Sequence, residues 1–137
     1  MRLRSLPAMV LFCLTAVPAA QATVRCVKPT PGASGCWASG SGVYYADLQP
    51  ALAAATSGDE IWVATATYKP DPSDRTKSFA LKNGVGIYGG FVGNETMRSQ
   101  RNPEANVTIL SGDIGTPGSA ADNSYHVVTT DASVTSS

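Results

Sequence analysis

Leu48, Leu52 and Ala55 follow one another at steps of four and three, the spacing that brings side chains to one face of an α-helix. Asp47 stands ahead of them as a side-chain cap, and Pro50 falls in the first turn, where a missing N–H costs little. Ser57-Gly58-Asp59 stops the element, so the spacing predicts one short amphipathic helix over 47–56. Downstream the period changes. Ile61-Trp62-Val63-Ala64 is a fully apolar run of strand length. Ser78 to Leu81, Val85 to Tyr88, Thr108 to Leu110 and Tyr125 to Thr129 are further short β-rich runs bounded by Gly, Asn, Asp and Pro. Ile61 and Val63 are expected beneath the helix, beside Leu48 and Leu52.

The connections between these runs are mostly too long for tight hairpins, Asn83-Gly84 being the one clear two-residue turn signal. From Phe79 to Ile87, Ile109 and Val127 the steps are 8, 22 and 18, and the last two match a solenoid that lays one strand beside the previous one every ~20 residues. Gly86, Gly89, Gly90 and Gly112 fit sharp corners between such strands. A β-sandwich is the competing arrangement, but it wants about seven alternating strands at regular spacing, more than this chain offers.

Ahead of the helix the chain has two other textures. Arg2 and Arg4 precede a run from Leu6 to Val17 that only Pro7 and Thr15 interrupt, and Ala20-Gln21-Ala22 fits a small-x-small cleavage pattern. A secretion leader over residues 1–22, cut after Ala22, is the expectation. The run is well short of the ~20 apolar residues that cross a bilayer, so no transmembrane segment is expected in the mature chain. Cys13 lies inside the run as apolar filler. Residues 23–46 form a Gly-, Ser- and Pro-rich lead-in, and residues 47–137 carry the helix and the strands.

Composition sharpens this picture. Ten basic residues balance ten acidic ones, and losing Arg2 and Arg4 leaves eight against ten, a net charge of −2 that argues against a nucleic-acid partner. With 13 Gly and 9 Pro among 137 residues, helical bundles are disfavoured, while 43% hydrophobic and 15% charged residues suffice for a core. Removal of the leader leaves Cys26 and Cys36, an even pair in a chain that would mature in an oxidising compartment. A disulfide between them is expected to fix the lead-in, and a metal site is not, because no second pair or nearby His completes one.

The stretch DLQPALAAATSGDEIWVATATYKP resembles the opening segment of secreted right-handed parallel β-helix proteins of the pectate-lyase-like superfamily, in which a capping helix is followed by Ser-Gly-Asp and the first coil. FALKNGVGIYGGFVGNET, NVTILSGDIG and DNSYHVVT are similar to consecutive coils of large bacterial β-helix repeat proteins, and the likeness runs from Tyr45 to about Thr130. Ala66 stands where the family usually has Gly before Thr-Tyr, and the Cys26/Cys36 pair is not a general family feature. The resemblance implies a right-handed parallel β-helix (solenoid) with an N-terminal capping helix and its first coils. Residues 129–137 carry no second cap, so it also implies further coils in a longer protein.

Candidate chemistry is sparse. Glycoside hydrolysis needs two carboxyl groups roughly 5–9.5 Å apart, and Asp113 and Asp122 approach one another if the loop between them folds back. Asp after Gly and before a loop is ordinary turn chemistry, however. Asp113, Asp122 and Asn123 are also weak oxygen ligands for Ca²⁺, although no regular Asp-x-Asp-x-Asp series is present. His126, the one histidine, lies between Tyr125 and Val127 and reads as a solvent-facing or hydrogen-bonded strand residue, not a catalytic one. Asn94-Glu95-Thr96 and Asn106-Val107-Thr108 match a glycosylation acceptor pattern that a bacterial chain would not use. Trp37, Tyr44, Tyr45, Trp62 and Tyr68 offer aromatic surface, Trp62 being read as core. The expectation is a secreted or cell-surface protein, bacterial and extracytoplasmic, with a structural, adhesive or carbohydrate-contacting role and polysaccharide or cell-surface partners. The alternative is the N-terminal part of a polysaccharide lyase or glycoside hydrolase whose active site lies in later coils.

Overall fold

The structure is a computed structural model that describes residues 22–30, 35–38 and 42–130. The expected leader lies outside these residues except for Ala22, as does the tail from Asp131 onward. In chain order the elements are β1 (Val24–Val27), β2 (Val43–Tyr45), α1 (Leu48–Ala54), β3 (Glu60–Ala64), β4 (Ala66–Tyr68), β5 (Phe79–Leu81), β6 (Gly86–Phe91), a 3₁₀ turn (Arg98–Gln100), β7 (Thr108–Leu110) and β8 (Val128–Thr130).

The helix and five of the strands form where the apolar patterns place them. A seven-residue helix is marginal by itself and takes its stability from tertiary contacts. Here the Asp47 side chain accepts from the Gln49 amide at its start, and Lys82 Nζ donates to the Ala53 and Ala55 carbonyls at its end, 2.7 and 3.0 Å away. Gln49 Nε2 reaches out of the first turn to the carbonyls of Pro70 and Ser78. The buried face of α1 is Leu48, Ala51 and Leu52, which join Val27, Ala55, Ile61, Val63, Tyr68 and Phe79 in the larger core cluster. Ile61 and Val63 therefore lie under the helix as the sequence predicts. Trp62, on the opposite face of β3, belongs to a second cluster with Cys26, Ala38 and Phe91, and its ring stacks on Phe91 at 4.9 Å. The uninterrupted apolar run of β3 thus reflects a strand covered on both faces, since alternate residues point to opposite sides.

All strand pairs among the described residues are parallel. They form a four-stranded sheet in the order β2-β1-β3-β6 and two two-stranded sheets, β4-β7 and β5-β8. This corrects the expected parallel β-helix. The strands are short and sit in small separate sheets, and they do not make a solenoid. A regular solenoid pairs residues at a constant separation, whereas here Glu60 pairs with Gly86, Ala66 with Thr108 and Phe79 with Val128, separations of 26, 42 and 49 positions. The steps read from Phe79 through Ile87 and Ile109 to Val127 join no paired strands: Phe79 lies beside Val128, Ile87 beside Ile61 and Ile109 beside Thr67. Spacing measured how far apart the runs are, not which run each one meets.

Three strands were not legible as such. β1 and β2 both arise within the lead-in that reads as irregular, and β4 is the Ala66-Thr67-Tyr68 stretch. At the other end, Tyr125 and His126 fall outside β8, although a strand from Tyr125 is expected. Asn83-Gly84 does turn, with Gly84 at φ +73°, but the strands on either side enter different sheets and no hairpin results. Gly86, Gly89 and Gly90 lie within β6 and not at corners between strands; Gly90 falls where the β3–β6 register shifts, with φ +94° and a Cβ position 2.8 Å from the Pro103 backbone.

Candidate functional site

Two groups of side chains hold the beginning of the chain. Cys26, fully buried in β1, and Cys36 lie at disulfide distance with Cα atoms 5.1 Å apart. Asp59, which the sequence marks only as a helix stop, is 4% exposed and gathers several donors. Its Oδ1 accepts from the Thr23 amide at 2.9 Å. Its Oδ2 accepts from Arg25 Nη2 at 2.8 Å and Nε at 3.2 Å, and from the amide and hydroxyl of Thr56. Burial by itself would raise the Asp59 pKa; the Thr56 amide, the Arg25 guanidinium and the Thr23 amide more than offset it and hold the carboxyl well below the usual carboxylate range. Arg25 is in turn fixed by the Tyr45 hydroxyl at 2.9 Å. No local pattern announces this cluster, because its members come from β1, β2 and the turn before β3.

The loop between β7 and β8 carries the acidic candidates. Both oxygens of Asp113 accept from the Gly118 amide at 3.1 Å, and Asp122 Oδ2 accepts from the Thr116 amide at 2.7 Å. These are the loop-closing roles of Asp in turns. The Thr116 amide keeps the Asp122 carboxyl below its ordinary range, the opposite of what a glycosidase general acid needs. For Ca²⁺, Asp122 Oδ1 and Asn123 Oδ1 remain buried without a hydrogen-bond partner among the described residues, as does Ser124 Oγ. That falls short of the about six to eight oxygens Ca²⁺ takes. Among the described residues no three His, Cys, Asp or Glu side chains converge on a metal position.

Directly after this loop stands an arrangement that the sequence does not single out. Tyr125 is 62% exposed, and the Arg75 guanidinium carbon lies 4.5 Å from its ring centre. Arg75 Nε donates to the Asn123 carbonyl at 2.7 Å, and the Tyr125 amide donates to the Arg75 carbonyl at 3.0 Å. The guanidinium is thus pinned under one face of an aromatic ring that is otherwise open to solvent. His126 beside it is exposed. On the four-stranded sheet Tyr88 is flanked in the same manner by Arg98 at 4.4 Å and Arg101 at 5.6 Å, with Arg98 also paired to Glu60. Glu60 Oε2 accepts from the Trp62 indole at 2.8 Å, so Trp62 is committed to the core.

Leu81, Val85, Ile87, Leu110 and Val128, with the stem of Lys82, line an open apolar cavity of about 410 Å³ where residues from all three sheets meet. Glu95, noticed in the sequence only as the centre of a glycosylation pattern, is 8% exposed and accepts from the amides of Val92, Gly93 and Asn94 at 2.6 to 3.0 Å. No helix among the described residues is long and apolar enough to cross a membrane. Compared with known protein families, curated proteins and solved structures, the chain matches none.

Proposed function

We propose that this chain is part of an exported, extracytoplasmic protein with a structural or adhesive role, and that it contacts carbohydrate through Tyr125. The observation that carries the reading is the Tyr125–Arg75 pair: a ring that is 62% exposed, with a guanidinium carbon 4.5 Å from its centre. An aromatic face held in place presents an apolar plane to the C–H face of a sugar ring, and the neighbouring Arg75 and His126 supply hydrogen-bond donors for its hydroxyls. Export is supported by the Arg2/Arg4 leader pattern and by the cysteines that lie at disulfide distance. The test is retention of the mature protein on immobilised neutral and acidic polysaccharides. Tyr125→Ala should weaken retention roughly three- to tenfold, with Tyr88→Ala as the comparison. Equal retention of Tyr125→Ala and the parent, or no retention of either, overturns the carbohydrate role.

A further inference from the structure

Thr23 is the residue that cleavage after Ala22 would leave at the head of the mature chain, and its nitrogen is the group that meets Asp59 Oδ1 at 2.9 Å. In the unprocessed chain that nitrogen is a neutral amide. Hydrolysis of the Ala22–Thr23 bond by a leader peptidase adds the water hydroxyl to the Ala22 carbonyl carbon and a proton to the Thr23 nitrogen. The free amine then takes up a further proton at neutral pH. We propose that leader removal creates at Thr23 an α-ammonium group that docks on the buried Asp59 carboxylate, so that processing itself supplies a charge pair of the fold. The inference rests on the cleavage position read from the sequence.

Three observations carry it. The scissile bond is reachable, because Ala22 is exposed. The nitrogen has little freedom to leave, because the Thr23 carbonyl accepts from the Glu60 amide at 3.1 Å and the next residue, Val24, is already paired with Glu60 in the sheet. The receiving oxygen is in place, because among the described residues Asp59 Oδ1 has Thr23 as its hydrogen-bond partner while Oδ2 serves Arg25 and Thr56. The charged and titratable groups around the new terminus are Asp59 on the turn before β3, Arg25 on β1 and the Tyr45 hydroxyl on β2. Glu60, on β3, is engaged by Trp62 and Arg98. Asp59 is thus shared between two cations, and the α-ammonium is favoured through the oxygen that Arg25 does not use.

An α-ammonium stabilised in this way titrates above the ordinary range of a free α-amino group. Its contribution is full below the unfolded-state value and disappears as pH rises through the folded-state value. The experiment uses three forms of the mature protein: Thr23 with a free amine, Thr23 N-acetylated, and a form extended by Ala22. Acetylation keeps the N–H and removes only the charge. At pH 6 to 7 the free-amine form should melt about 3–6 °C above both others, with the gap closing as pH is raised past the amine's titration. Its α-amine should also react with an acylating reagent about tenfold more slowly than that of the Ala22-extended form. Asp59→Asn should abolish both differences; if that variant does not fold, the acylation rate of the parent decides. Equal melting of the three forms, together with equal acylation of the free-amine and Ala22-extended forms, overturns the pairing. The mass of the exported protein tests the cleavage position separately: a terminus other than Thr23 overturns the link to processing, whatever the three prepared forms show.

Discussion

Leu52→Ala tests whether α1 and β3 share a core. Leu52 is 3% exposed and belongs to the cluster that includes Val27, Ile61, Val63 and Phe79. Truncation to alanine removes about three methylene equivalents of buried surface, worth ~2.4 kcal/mol at roughly 0.8 kcal/mol each, before any cavity forms. The cavity cost depends on how far the helix can settle into the gap. Here α1 is tied down at three points: Asp47 at its start, Gln49 to the Pro70 and Ser78 carbonyls, and Lys82 across its last turn. With such anchors collapse is incomplete, and the total comes to about 3 kcal/mol. Urea unfolding of the mature protein followed by far-UV circular dichroism gives the difference directly, with an unchanged m-value showing that both states keep their compactness. Heating should show the same loss as a Tm lower by about 10–15 °C. Ala54→Ser, on the exposed side of the same helix, is the control and should stay within about 0.5 kcal/mol. A Leu52→Ala loss below ~0.5 kcal/mol would refute the reasoning, because it would mean the helix does not cover β3.

Two further outcomes concern other contacts. Peptides containing Cys26 and Cys36 should be recovered linked from non-reduced, proteolysed mature protein, and Cys36→Ser should cost roughly 2–3 kcal/mol by loop entropy; free thiols on both residues would show that the pair is not oxidised. Burial would raise the Glu95 pKa, but the Val92, Gly93 and Asn94 amides lower it on balance, so its stabilisation is complete above the unfolded carboxyl range and fades as pH falls through the folded value. Glu95→Gln should therefore cost about 1–2 kcal/mol at pH 7 and much less near pH 3, and an equal loss at both would show that charge is irrelevant there.

What the sequence made legible was local. Leu48, Leu52 and Ala55 report a helical face because their spacing is a property of about two turns of chain, and Ile61 to Ala64 report a doubly covered strand because every residue in the run is apolar. Pairing is not local in this sense. β1 lies between β2 and β3 through pairings that span 18 and 36 positions, Arg25 opposite Val43 on one side and opposite Ile61 on the other. Nothing in Val-Arg-Cys-Val marks those partners, and the repeat arithmetic for Phe79, Ile87, Ile109 and Val127 failed for the same reason. The polar clusters were hidden likewise. Asp59 next to a glycine looks like a turn residue until Arg25 and Thr23 arrive from another strand, and Arg75 gives no sign of Tyr125, 50 positions ahead.

The exclusively parallel pairing has a kinetic consequence. Among the described residues the shortest separation that a strand pair closes is the 18 positions between Arg25 and Val43, and the longest is the 49 between Phe79 and Val128. A chain whose rewards are so distant must surrender loop entropy before most of its contacts form, which places it among slow folders of high contact order, in the range of milliseconds to seconds. Cys26 and Cys36, at disulfide distance, are only ten positions apart, less than any described strand pairing, so the two thiols can meet while β3 and β6 are still being found. Oxidation takes seconds to hours, slower than strand pairing on that scale, so the time the unpaired strands stay exposed to other chains is set by sheet assembly, and a cross-link would lock β1 to the lead-in afterwards.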